Sequence, residues 1–308
     1  MTPGSNRSAA LLFALSVCLV GVAAMGDRSG AAEQAAGTVA DTSRIVSIGG
    51  DVTEILYALH AAPKIVAVDT TSTFPGKALK EKKSVGYMRA LSTEGVLSTN
   101  PTVIIAAADA GPPEVVSALK SSSVPYVEVP DVPTPEGIAE KIRLVAAALG
   151  AEEEAKALAR DVARDFNALA DQRRSITKPV RALFVLSVQN GRAMVAGSGT
   201  AADAIFALAG AENAAAQING YKPLADEAAV ELAPDVIVAM QNPVPGNEPR
   251  KMLELPLFRS TPAAVNKRLI EMDGNYLLNF GPRAGQAARD LMQALYPTLS
   301  RSAKGSGQ

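Results

Sequence analysis

The sequence predicts an α/β protein of two similar α/β lobes joined by a long backbone helix, with a ligand cleft between the lobes. Three observations predict it. Short apolar runs alternate with helical segments in both halves of the chain, a helical stretch without strands separates the halves, and a spaced motif of the first half recurs in the second.

The elements follow in order. Arg44-Ile-Val-Ser-Ile48 reads as a buried strand that leaves through the turn Gly49-Gly50. The helix expected over Val52–Leu59 sets Ile55, Leu56 and Leu59 on one face, with Thr53 and Glu54 suited to its first turn. Apolar strands are expected at Ile65–Val68, Val103–Ala107 and Tyr126–Val129. From Thr134 to Leu149 and from Glu152 to about Arg174 the pattern is helical, and the second stretch makes a rod of about 35 Å at the helical rise. Strands then resume at Val180–Leu186 and Val236–Met240, with helices at Ala201–Ala209 and Ala284–Leu295. The expected division is an N-terminal lobe over 43–150, a spine helix over 151–175 and a C-terminal lobe over 176–299, with a disordered tail over 300–308.

The repeat supports two lobes rather than one sheet. Glu94 and Pro101-Thr-Val-Ile recur as Glu227 and Pro234-Asp-Val-Ile at identical spacing, and Glu54-Ile-Leu-Tyr-Ala-Leu59 has a counterpart in Asp203-Ala-Ile-Phe-Ala-Leu208. Two similar lobes on a helical spine make a cleft, a common place for a ligand.

Composition narrows what that ligand is. The 308 residues are 48% apolar and 20% charged, with net charge −1, so no cationic field invites nucleic acid or an anionic membrane surface. The start carries the parts of a secretory signal: Arg7, an apolar run from Ala9 to about Met25, and small residues around Gly30-Ala31-Ala32. A signal peptide over 1–32 and a disordered stretch over 33–42 are therefore expected, placing the cleaved protein in the periplasm. The run is shorter than the roughly 20 apolar residues a membrane anchor needs, and Val17 before Cys18 suits lipoprotein processing poorly.

Cys18 is the only cysteine and leaves with the signal; His60 is the only histidine, and there is no Trp. Disulfides, Cys-ligated zinc, a cysteine nucleophile and multi-His metal sites are thereby excluded from the cleaved protein. Neither Gly-x-Ser-x-Gly nor His-Glu-x-x-His occurs, so an exported hydrolase finds little support, and a non-enzymatic binding role is expected.

From Arg44 to Pro297 the chain resembles the periplasmic substrate-binding proteins of the helical-backbone class, through Arg44-Ile-Val-Ser-Ile, Val66-Ala-Val-Asp69, Glu94 ahead of Asn100-Pro101, the spine helix, and Leu232-Ala-Pro-Asp-Val-Ile237. Within that class it resembles the haemin-binding component of bacterial haem ABC importers, through Val85-Gly-Tyr-Met-Arg-Ala-Leu-Ser92, Ala196-Gly-Ser-Gly-Thr-Ala-Ala-Asp203 and Gly220-Tyr-Lys-Pro-Leu224. The resemblance implies that Tyr87 is the axial ligand of haem iron and that Arg89 hydrogen-bonds its phenol oxygen. It also implies that Glu94 and Glu227, one on each lobe, dock to arginines of an ABC permease served by its ATPase, with an outer-membrane haem receptor system upstream; a monomer is expected. Relatives that stack a second haem use a residue such as His from the other lobe, and this chain offers none there.

The chemistry is consistent with that implication. A phenolate is a hard oxygen ligand for ferric iron, and a free phenol, which titrates near pH 10, ionises more readily beside a cation and a metal. In an extended segment residues i and i+2 share a side, which would set Arg89 beside Tyr87, and Gly86 would let the backbone approach the macrocycle. Spacing alone equally allows an exposed loop tyrosine and a solvated arginine. Met194, Tyr221, Tyr276 and Phe280 are candidates to pack on a porphyrin face, or core. His60, at the apparent end of a helix, reads as a capping residue. A ferric siderophore or a cobalamin is the alternative ligand in the same fold.

Overall fold

The computed structural model describes residues 38–189, 191–241 and 249–298. The expected signal peptide, Cys18 and the tail over 300–308 lie outside them. Within the stretch expected to be loose, Val39 donates to the Ala148 carbonyl at 3.3 Å and packs on the core, so the chain is tied down before the first strand.

The first lobe runs β1 (Ile45–Ile48), α1 (Gly50–Ala58), β2 (Ile65–Val68), α2 (Ala78–Glu81), β3 (Lys83–Ser84), α3 (Thr93–Leu97), β4 (Val103–Ala107), α4 (Pro113–Lys120), β5 (Tyr126–Val129) and α5 (Pro135–Leu149). Its strands form one parallel sheet in the order β3-β2-β1-β4-β5. Both β1 and β4 are buried throughout, as expected of parallel strands covered on both faces. The spine is α6 (Glu152–Arg173), which buries Ala155, Val162, Phe166 and Leu169 along one stripe and exposes charge elsewhere.

The second lobe runs β6 (Arg181–Gln189), β7 (Arg192–Ala196), α7 (Ala201–Leu208), β8 (Glu212–Asn213), β9 (Tyr221–Pro223), α8 (Asp226–Leu232), β10 (Val236–Met240), α9 (Pro249–Met252), α10 (Pro262–Val265), β11 (Leu269–Met272), α11 (Gly274–Leu278) and α12 (Ala284–Leu295). Its sheet has the order β11-β10-β6-β7-β9, with β8 beside β6. The repeat seen in the sequence lands on equivalent elements, because α3 and β4 correspond to α8 and β10. Even the loop between them is repeated: Asn100 and Ala233, each before a proline, both adopt positive φ (50° and 44°).

The lobes differ where β6 runs past the expected Leu186 to Gln189 and returns through β7, antiparallel, with β9 added outside it. The short strands of this ribbon carry too little apolar alternation to announce themselves. A single core cluster reaches from Ile45, Ile104 and Ile142 to Phe184, Val236 and Val238 of the second sheet. The alternate residues Leu183, Val185, Ile237 and Ala239 face the other way into a second cluster. One face of the second sheet is thus fused to the first lobe.

Candidate functional site

In an open parallel sheet ligands bind beyond the carboxyl ends of the strands, where the strand order reverses. Here the reversal lies between β1 and β4, and the loops leaving β3, β4 and β5 at that edge carry Tyr87 and Arg89, Asp109, and Asp131 respectively.

The Tyr87 segment is a turn rather than the extended run expected. Ala90 N donates to the Tyr87 carbonyl at 2.8 Å, closing a β-turn with Met88 and Arg89 at its centre. The turn is pinned from two neighbouring loops: Thr70 N donates to the Gly86 carbonyl, and Gly111 N to the Met88 carbonyl, both at 2.9 Å. Val85 and Met88 are buried and anchor it, leaving Tyr87 46% exposed. Gly86 has φ 93°, while a Cβ there would meet only the Ala90 carbonyl oxygen at 4.0 Å, so backbone conformation, not crowding, calls for glycine.

Arg89 lies beside Tyr87 by virtue of the turn. Its guanidinium hydrogen-bonds the Asp109 carboxylate through Nη2 and interacts with the Tyr87 phenol. The Asp109 hydrogen bond, with a smaller contribution from Tyr87, holds Arg89 even more firmly in its charged form than a free arginine.

Tyr221, on β9 of the second lobe, faces this group. Arg89 and Asp131 of the first lobe both act electrostatically on its phenol, and the Thr200 hydroxyl lies close enough to influence it. Burial pushes its pKa up, with Asp131 adding and Arg89 opposing, so Tyr221 stays neutral. Met194 lies on the same sheet face, since Met194 pairs with Pro223 and Ala196 with Tyr221. Gly197 permits this arrangement: a Cβ there would sit 1.9 Å from the Ile218 carbonyl oxygen. Gly197 thus has a packing reason, whereas Gly199, in open space at φ 73°, has a conformational one.

Tyr87, Arg89 and Tyr221 are therefore brought together, with Met194 on the face shared by Tyr221. Tyr276 is engaged elsewhere: its hydroxyl donates to Asp290 at 2.9 Å and the Arg283 guanidinium sits 4.9 Å from its ring centre. Burial, then Asp290, raises its pKa. Phe280 is core. His60 ends α1 in the left-handed conformation, with its backbone N–H on the Tyr57 carbonyl and that of Ala61 on the Leu56 carbonyl, a Schellman cap made by the main chain rather than the imidazole. Glu94 is exposed as the second residue of α3, behind the N-cap Ser92, and Glu227 is the second residue of α8; the Glu227 side chain lies outside the described residues.

Sequence reasoning missed Asp109, Asp131 and the exposed Phe74, whose ring packs 3.5 Å from the Arg283 guanidinium. The first two follow the carboxyl ends of strands read correctly, and the strand-end rule would have found them. Behind the rim lies a charged junction. Lys141, fully buried, donates to Asp51 at 2.5 Å, Asp131 at 2.8 Å and the Asn279 carbonyl at 3.3 Å. Burial works against the Lys141 charge, yet the two carboxylates hold its pKa above the usual lysine range. Nearby, Glu54 takes the backbone N–H of Arg283 at 2.9 Å and its guanidinium Nε at 3.0 Å, and burial raises its pKa.

Residues 45–276 match the family model described as periplasmic binding protein. The chain belongs to that family. This family serves transport by binding substrates. Among solved structures it is similar to the periplasmic haem-binding protein RhuT of Roseiflexus sp. RS-1 in apo form, with 38% identity and a TM-score of 0.80 over 84% of this chain and 100% of that one. It is 26% identical to the uncharacterized ABC transporter substrate-binding lipoprotein YvrC of Bacillus subtilis over 83% of this chain and 81% of the relative. The vitamin B12-binding protein of Pectobacterium atrosepticum is 26% identical over 55% of this chain and 61% of its own length.

Proposed function

We propose that the chain is a periplasmic haem-binding protein that captures ferric haem in the cleft and delivers it to an inner-membrane ABC permease. The observation that carries this reading is the pinned turn, which presents the Tyr87 oxygen at the cleft edge with Arg89 beside it and Tyr221 opposite. A phenolate is a suitable fifth ligand for ferric haem, and the Arg89 guanidinium beside it offers hydrogen-bond donors to its oxygen. Tyr221 and Met194 supply apolar surface to one side of the macrocycle. Tyr276, a candidate for the porphyrin face, enters this reading only through its contact with Arg283. The similarity to the haem-binding protein RhuT, at 38% identity, supports haem over other ligands of the family.

Delivery is assigned to Glu94 and Glu227, which occupy the same position in corresponding helices of the two lobes. A cleaved signal over 1–32 would release the protein; the lipoprotein relative makes an anchor at Cys18 the competing outcome, which the mass of the mature chain decides.

The similarity to a B12-binding protein favours a second reading, cobalamin. Haemin titration of the mature protein, read by absorbance and repeated with Tyr87→Phe, tests both. A saturable Soret shift with a high-spin ferric spectrum, lost in Tyr87→Phe, is expected. No shift in the wild-type protein, with binding of cobalamin instead, rejects haem.

A further inference from the structure

Arg89 is a long side chain, 59% exposed, on a surface turn. Such a side chain samples many rotamers in water, and its effect on Tyr87 depends on staying beside the phenol. Something must hold it there.

We propose that Asp109 is the positioning residue that holds Arg89 against Tyr87 and so sets how tightly the Tyr87 ligand is kept; this rests on the haem reading. Asp109 leaves the carboxyl end of β4, on a loop fixed by Ala108 N to the Val129 carbonyl at 2.8 Å and Ala110 N to the Ala107 carbonyl at 3.0 Å. That loop is stapled to the Tyr87 turn by Gly111 N on the Met88 carbonyl at 2.9 Å and Leu91 N on the Gly111 carbonyl at 3.0 Å. Carboxylate and phenol therefore stand on two loops of fixed relative position, and the guanidinium spans them. A planar fork of donors can serve a carboxylate with one nitrogen and still offer others to the phenol oxygen, which a lysine could not do with the same geometry. Asp109 also offsets the charge of Arg89, so the pair acts on the phenolate by directed hydrogen bonding more than by net charge.

The pair is partly exposed, and exposed pairs add little to stability. Asp109→Asn is therefore expected to melt at the wild-type temperature while losing haemin to a competing acceptor about tenfold faster, with an altered high-spin charge-transfer band. Arg89→Ala is expected to show the same loss, and the double variant no more than Arg89→Ala alone, because Asp109 acts through Arg89. Asp109→Glu, which keeps the charge, is expected to restore most of the retention. A second readout needs no haem: in the ligand-free protein the Arg89 Nε–H, followed by nitrogen relaxation, is expected to be ordered in wild type and mobile in Asp109→Asn. Unchanged retention in Asp109→Asn, losses that add in the double variant, or an Arg89 Nε–H equally ordered without the carboxylate would each overturn the proposal. Failure of the haem reading itself would show differently, as no Soret response in wild type, and the relaxation measurement would then decide the positioning role alone.

Discussion

The rim of the cleft and the junction behind it use the same kinds of residue to opposite ends. At the rim Arg89 and Asp109 pair at 59% and 32% exposure; at the junction Lys141 pairs with Asp51 at 0% and 7%. Water competes for the first pair and has no access to the second, so the rim pair orients a side chain at small cost, whereas each partner of the junction pair depends on the other for its solvation. Asp131 belongs to both: it holds Lys141 at 2.8 Å and is itself 41% exposed, within the field felt by Tyr221. The buried and the exposed charges are thus adjacent but separable sets that meet at Asp131.

The largest effect that would test this separation is at Lys141. Lys141→Met leaves Asp51 buried without a counter-charge, and breaking a buried pair from one side costs about 3–5 kcal/mol. Denaturant unfolding is expected to show that loss, while the fraction still folded binds haemin with the wild-type spectrum. Loss of the Tyr87 signature in folded Lys141→Met would mean that the junction, through Asp131, also shapes the rim.

Glu54 gives a smaller effect with a definite sign in pH. Burial raises its pKa above the ordinary value of 4.5, so the folded chain binds its proton more readily than the unfolded chain. A raised carboxyl pKa contributes stability that is complete below the unfolded value and is lost as pH rises through the folded one. Glu54→Gln, permanently neutral and still able to accept from the Arg283 N–H, removes this dependence. Comparing the two by thermal unfolding, the wild type is expected to gain on Glu54→Gln as pH falls from neutrality toward 4.5. A gap that stays constant with pH would show that Arg283 fully offsets the burial of Glu54.

Much of the junction and the rim was hidden in the sequence for the same reason. Strands such as Ile45–Ile48 and Val236–Met240, and the spine helix, declare themselves by local apolar period, and the Glu94 and Glu227 repeat locates corresponding helices. Tyr87 and Arg89 were legible as a motif, although the expected extended geometry is replaced by a turn whose anchors at Thr70 and Gly111 are distant in sequence. Lys141 sits on an amphipathic helix, where a lone lysine reads as a solvated charge until Asp51, Asp131 and the Asn279 carbonyl converge on it. Long-range convergence of this kind leaves no local signature. The β7 and β9 strands escaped because they are short, Arg192–Ala196 and Tyr221–Pro223, and show no period-two alternation of apolar and polar residues.

The smallest expected effect concerns motion. The long helix α6 by itself suggests limited movement of the lobes, and the core supplies a stronger reason. Phe184 and Val238 of the second sheet share one cluster with Ile104 and Ile142 of the first lobe, and Arg283, the N-cap residue of α12, is held by Glu54 of α1. A hinge opening would have to expose that shared face to water, at about 25 cal/mol for each Å² of apolar surface, and strip Glu54 of its partner as well. Small-angle scattering is therefore expected to give the same radius of gyration with and without haemin, in contrast to binding proteins that close by hinge bending. A clear compaction on binding would show that the charges of the junction slide rather than lock. Glu54→Gln would then be expected to enlarge the compaction, and Lys141→Met to enlarge it further, in the order of their effects on stability.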